Sequence, residues 1–106
     1  MSAEVARVLR EAADLIKPPG RWTRGVQARN DVGQPVSPLS PKAHCWCMVG
    51  AVRRVAGTND HLMHGALDQL RANLGLPGPS TFNDARDSAE PVVARLRRVA
   101  DEAEAS

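Results

Sequence analysis

The stretch Pro41-Lys42-Ala43-His44-Cys45-Trp46-Cys47-Met48-Val49-Gly50-Ala51-Val52-Arg53-Arg54-Val55-Ala56, closed by Gly57, decides how the rest of the chain is read. Ser40 offers a side-chain cap and Pro41 suits the first helical position. Gly57 supplies a left-handed stop. From Ala43 to Val52 the run is apolar almost all round, which predicts a central, buried helix over 41–56.

Upstream, Val5, Val8, Leu9, Ala12 and Ile16 recur at helical spacing, so a first helix is expected over 3–17. Ser2 can cap it, and Pro18-Pro19-Gly20 ends it. Between the two helices Trp22, Thr23, Val26 and Val36 favour strand, and Asn30-Asp31-Val32-Gly33 carries turn chemistry. A short β-hairpin is predicted, 22–29 against 34–37, followed by an extended Pro-rich link to Pro41. Downstream, Asp60 caps a helix over 60–74, whose inward positions include Ala66, Leu67 and Leu70. A last helix over 88–103 buries Val92, Val93, Leu96, Val99, Ala100 and Ala103. Its acidic end, Asp101-Glu102-Ala103-Glu104, lies at the negative pole of the helix dipole and should fray. The expected fold class is α+β, with four amphipathic helices and one hairpin in a single domain, 1–106.

Composition agrees with a small globular chain. It has 106 residues, 42% of them hydrophobic and 3% aromatic, so an aliphatic core is expected. Fourteen Lys+Arg against twelve Asp+Glu leave +2, too little to imply a nucleic-acid partner by itself. That small total conceals segregation. Lys17 to Arg53 holds six basic residues against Asp31 alone, and the remainder is acidic on balance. No apolar run is long enough to span a bilayer, and Met1-Ser2-Ala3-Glu4 begins no secretory leader, so a cytoplasmic protein without membrane contact is expected. Cys45 and Cys47 are too close in sequence to close a useful loop and point to different faces of the expected helix, so both should be reduced.

Three stretches share a pattern: Trp22-Thr23-Arg24-Gly25 with Ala28-Arg29, Trp46-Cys47-Met48-Val49-Gly50-Ala51, and Phe82-Asn83-Asp84-Ala85. In this order they resemble a small uncharacterised family of actinobacterial and actinobacteriophage proteins with W-T-x-G, W-C-x-x-G-A and W-N-D-A motifs. This chain departs from it with Phe82 in place of Trp and with an extra Cys45. The resemblance implies a lineage, with a phage or its bacterial host as the setting. It implies no reaction.

Each group with chemical potential also has a structural reading. Cys47 is the catalytic candidate, because thiols near helix amides or cations become nucleophilic. Yet Cys47, Gly50 and Ala51 share one helical face, where small residues let another element approach, and packing is the commoner role of a buried Cys. His44, Cys47, His61 and His64 suggest zinc by spacing. If the second and third helices form a hairpin about 57–59, however, the two pairs lie roughly 8–18 Å apart along the axis. No metal site and no cofactor are expected. Asn83 and Asp84 sit in a Pro/Gly-flanked loop and suit a loop clip. Trp46, Cys47, Gly50, Phe82, Asn83 and Asp84 form the motif cluster whose convergence matters most. Arg21, Trp22, Arg24 and Arg29 are the binding candidates, since an indole among guanidiniums can stack on a base while they hold phosphates. The reading with most support is a non-enzymatic interaction or accessory protein with a protein partner. A nucleic-acid-binding module on the basic hairpin and a thiol hydrolase or transferase using Cys47 are its rivals.

Overall fold

The computed structural model describes residues 2–105, with Ser2 by its backbone only, so the cap expected of its side chain lies outside the described residues. Five helices and one small sheet follow in the order α1 (Ser2–Ile16), β1 (Ala28–Arg29), β2 (Cys45–Trp46), α2 (Met48–Ala56), α3 (Asp60–Leu74), α4 (Pro79–Asp84) and α5 (Ala89–Ala105). The α+β class therefore fits, with one helix more than the four expected.

α1 and α5 form the main helix pair, and α2 lies across α1 and α3. The stripe read from sequence is the one buried: Val8, Leu9, Ala12 and Ile16 on α1, and Val92, Leu96, Val99, Ala100 and Ala103 on α5 are closed to solvent or nearly so. Asn59, one residue before the expected Asp60, caps α3, its side-chain oxygen accepting from Leu62 N at 3.1 Å. The acidic end of α5 is matched by α1 instead of fraying, and the helix continues to Ala105. Arg10 donates to Asp101 and to Glu104, each at 2.8 Å. Hydrogen bonding to Glu104 and then Asp101 holds this guanidinium still more firmly charged than usual. The contact is exposed and screened, so it fixes orientation more than stability.

The central segment corrects the sequence reading. Residues 41–56 are not one helix; α2 begins at Met48, and Cys45–Trp46 is a strand. β1 and β2 pair antiparallel, Ala28 opposite Trp46 and Arg29 opposite Cys45. The backbone N–H groups that a helix would send back along itself go sideways. His44 N donates to Arg29 O at 2.8 Å, Trp46 N to Arg21 O at 2.9 Å and Cys47 N to Gln27 O at 3.1 Å. A strand covered on both faces is as uniformly apolar as a buried helix, so periodicity could not separate them.

The predicted hairpin survives as a fragment. Arg29 bridges Pro35, and Asn30 N donates to Gln34 O at 2.9 Å across the Asn30–Gly33 turn. Trp22, placed in that hairpin by sequence, instead forms a parallel bridge with Trp46. The core is mainly aliphatic, with Leu9, Ile16, Met48, Leu70 and Leu96 its largest fully buried side chains. Trp46 is an exception, buried within it at 4% exposure.

Candidate functional site

Trp22, Trp46, Cys47, Gly50, Asn83 and Asp84 come from three separate stretches and meet around Asn83. α4 is short, started by Pro79 in its first turn, and carries Asn83 inward, where it is fully buried. Its side-chain oxygen accepts from Trp22 Nε1 at 2.7 Å and from Met48 N at 3.0 Å. Its amide donates to Thr23 O and to Asp84 Oδ1, both at 3.1 Å. An asparagine amide has two lone pairs and two N–H groups, so its hydrogen-bonding capacity is filled. Both partners of the oxygen are donors, which also fixes which way the amide points. The Asp84 carboxylate, itself exposed, accepts from Gly25 N at 3.0 Å and so holds the 22–25 turn from the other side.

Cys47 and Gly50 complete the junction from α2. Cys47 is the N-cap of that helix in extended backbone, and its Sγ accepts from Gly50 N at 3.3 Å. A Cβ on Gly50 would lie 1.9 Å from the Gln27 carbonyl oxygen, so this position has room for glycine alone. Cys47 is 4% exposed, and burial pushes its thiol above the usual range. The amides of Gly50 and Val49 pull the other way without prevailing, and the Asp84 charge adds to the rise. A cavity of about 270 Å³ touches Cys47 beside Gln27, Ser80 and Asp84, but neither His44 nor His64 lines it. Cys45 is a free, buried thiol on β2, not a helical residue as expected.

Two aromatic rings lie beside this junction. Trp46 donates from its indole to Pro38 O at 3.0 Å, and Arg54 lies 5.3 Å over its ring while donating to Ser40 O at 2.7 Å. Phe82, half-buried, sits under two guanidiniums, Arg86 at 4.5 Å and Arg95 at 4.9 Å. Attraction to the ring face therefore holds the position that the resembled pattern fills with Trp.

The three arginines of the basic turn, Arg21, Arg24 and Arg29, each donate within the chain. Arg29 gives Nε to Thr23 Oγ1 at 3.0 Å, Nη1 to Gly33 O at 3.0 Å and Nη2 to Arg24 O at 3.1 Å. Arg21 donates to His44 O at 3.1 Å and contacts its ring nitrogen. Arg24 donates to Arg86 O and lies 3.7 Å from Asp87. The Trp22 indole N–H is taken by Asn83. His61 and His64 are exposed on α3, and the described residues contain no group of three or more His, Cys, Asp or Glu placed to hold a metal.

A second region was not singled out from the sequence. α2, α3, the loop 75–78 and the start of α4 line an open cavity of about 520 Å³ whose walls include Val49, Leu67 and Pro79. Arg53 and Arg71 also line it. Arg53 Nε is buried without a hydrogen-bond partner, and Nη1 only reaches the Gln27 side-chain oxygen at 3.5 Å. The sequence did contain a signal. Arg53 lies in an apolar helix with no acid three or four residues away, so nothing on its own helix can neutralise it.

No curated protein and no solved structure matches this chain. No helix among the described residues is long and apolar enough to cross a membrane. One family model does match, over residues 1–102, and its family is described as one of unknown function, DUF6197. A match over nearly the whole chain places this protein in that family.

Proposed function

We propose that this chain is a small non-catalytic accessory protein that works by binding a protein partner, with a phage or its actinobacterial host as the setting. The observation that carries this reading is the filled hydrogen-bonding of Asn83. The motif residues with the most chemical potential are used to join three chain segments, and Cys47 is a buried helix cap with a raised pKa. Such a thiol lacks the electropositive, accessible surroundings that activate a nucleophile. Protein is favoured over nucleic acid because Arg29 spends its guanidinium on Thr23, Gly33 and Arg24, which leaves it little to offer a phosphate, and the half-buried Trp22 is anchored to Asn83. Leu39 and Leu76, both exposed apolar side chains, suit protein contact.

Iodoacetamide labelling of native and unfolded protein, combined with affinity capture from host lysate, tests this reading. Cys47 should react only after unfolding, and capture should return one stoichiometric partner that Leu76→Asp reduces. Rapid native alkylation of Cys47 overturns the non-catalytic assignment. Capture without a stoichiometric protein, or with nucleic acid alone, overturns the partner.

A further inference from the structure

We infer that the cavity between α2, α3, the loop 75–78 and the start of α4 binds a small monocarboxylate carried on an apolar body. This goes beyond the partner reading and stands on the cavity alone, so failed partner capture leaves it untouched. A volume of about 520 Å³ falls within the range of small-molecule sites, which are mostly apolar with a few placed polar groups. Val49, Leu67 and Pro79 supply the apolar walls, and Arg53 and Arg71 supply the charged groups.

Arg53 gives the site its chemistry. Arg53 lines the cavity while its Nε is buried behind it without a partner, and buried N–H groups are almost always paired, so this guanidinium has hydrogen-bonding capacity that the fold leaves unused. No carboxylate of the described residues forms an ion pair with Arg53, whereas Arg71 keeps Asp68 at 3.3 Å. Two guanidiniums and one carboxylate leave a single net positive charge beside the cavity. That balance suits a carboxylate better than a phosphate dianion, and a guanidinium fork matches carboxylate oxygens in a plane. Each helix sets its arginine one turn after an apolar residue, Val49 then Arg53 and Leu67 then Arg71. A ligand with a charged head and a short hydrocarbon tail can therefore satisfy both kinds of lining at once. The similarly large cavity near Asn30 and Lys42 has a mostly polar lining and offers no such apolar wall.

Titration of the ¹⁵N-labelled full chain with hexanoate, followed by NMR, tests the inference. Hexanoate should shift the Arg53 Nε–H signal and the Val49, Leu67 and Ser80 amides saturably. Hexanol, which lacks the head, and acetate, which lacks the tail, should each bind at least about tenfold more weakly. Arg53→Met should lose about tenfold in hexanoate affinity with its spectrum otherwise folded, and Arg71→Gln, at an exposed position, should weaken binding independently. Hexanol binding as tightly as hexanoate, or hexanoate binding unchanged in Arg71→Gln, overturns the carboxylate site. Hexyl phosphate binding more tightly than hexanoate overturns the choice of a monoanion.

Discussion

Asn83 and the Nε of Arg53 are both polar groups withdrawn from water, and they are treated in opposite ways. Asn83 is fully buried with all four hydrogen-bonding positions used. Arg53 Nε has no partner, although its side chain lines a cavity of about 520 Å³. The first arrangement closes, joining the 22–25 turn, the start of α2 and α4. The second stays open. Burying a polar atom costs the folded state unless the atom is paired, so a filled network reads as construction and an orphan beside a cavity reads as capacity.

The contrast is broken most severely at Asn83. Asn83→Ala leaves Met48 N and Thr23 O buried or half-buried without partners and frees the Trp22 indole. An orphaned group costs about 1–3 kcal/mol, so the expected loss is about 4 kcal/mol, read as a lower urea midpoint. A loss below about 1 kcal/mol would show that water replaces the amide and that the junction is not what joins the three segments.

The two regions also differ in how far the sequence disclosed them. The helical stripes of α1, α3 and α5 were legible because one buried face leaves a clean 3.6-residue period. The strand Cys45–Trp46 was not, because burial on both faces erases any period. α4 was hidden by its length, six residues among Pro and Gly that read as loop. The residues of the junction could be named from their motifs, but their meeting could not. It depends on the pairing of 21–29 with 44–47, which is decided by where the backbone amides find acceptors. The cavity went unread because its lining comes from both sides of a helix–helix turn and a loop, with no local pattern beyond an unneutralised Arg53.

Cys47 supplies an intermediate effect with a definite sign. Burial raises its pKa in the folded state above that of the unfolded chain. Its contribution is therefore complete below the unfolded thiol pKa of about 8.5 and is lost as pH rises through the higher folded value. Stability measured by urea should fall from about pH 8.5 upward, with this site contributing no more than one proton to the slope. Cys47→Ser, which keeps an acceptor at the helix start, should flatten that fall at constant salt. An unchanged alkaline slope in the variant would mean that the thiol ionises alike folded and unfolded, contradicting its burial at the junction.

The smallest expected effect is the most discriminating. Arg53→Met keeps an unbranched stem for packing while removing the orphaned, charged head. If that head serves no partner within the fold, its removal spares a desolvation cost and loses only the 3.5 Å contact with Gln27. Stability should stay within about 0.5 kcal/mol of the parent or rise, against about 4 kcal/mol lost at Asn83. A loss of about 2 kcal/mol or more would mean that Arg53 is as structural as Asn83. The open side of the comparison would then close, because a guanidinium already satisfied by the fold has nothing to offer a ligand.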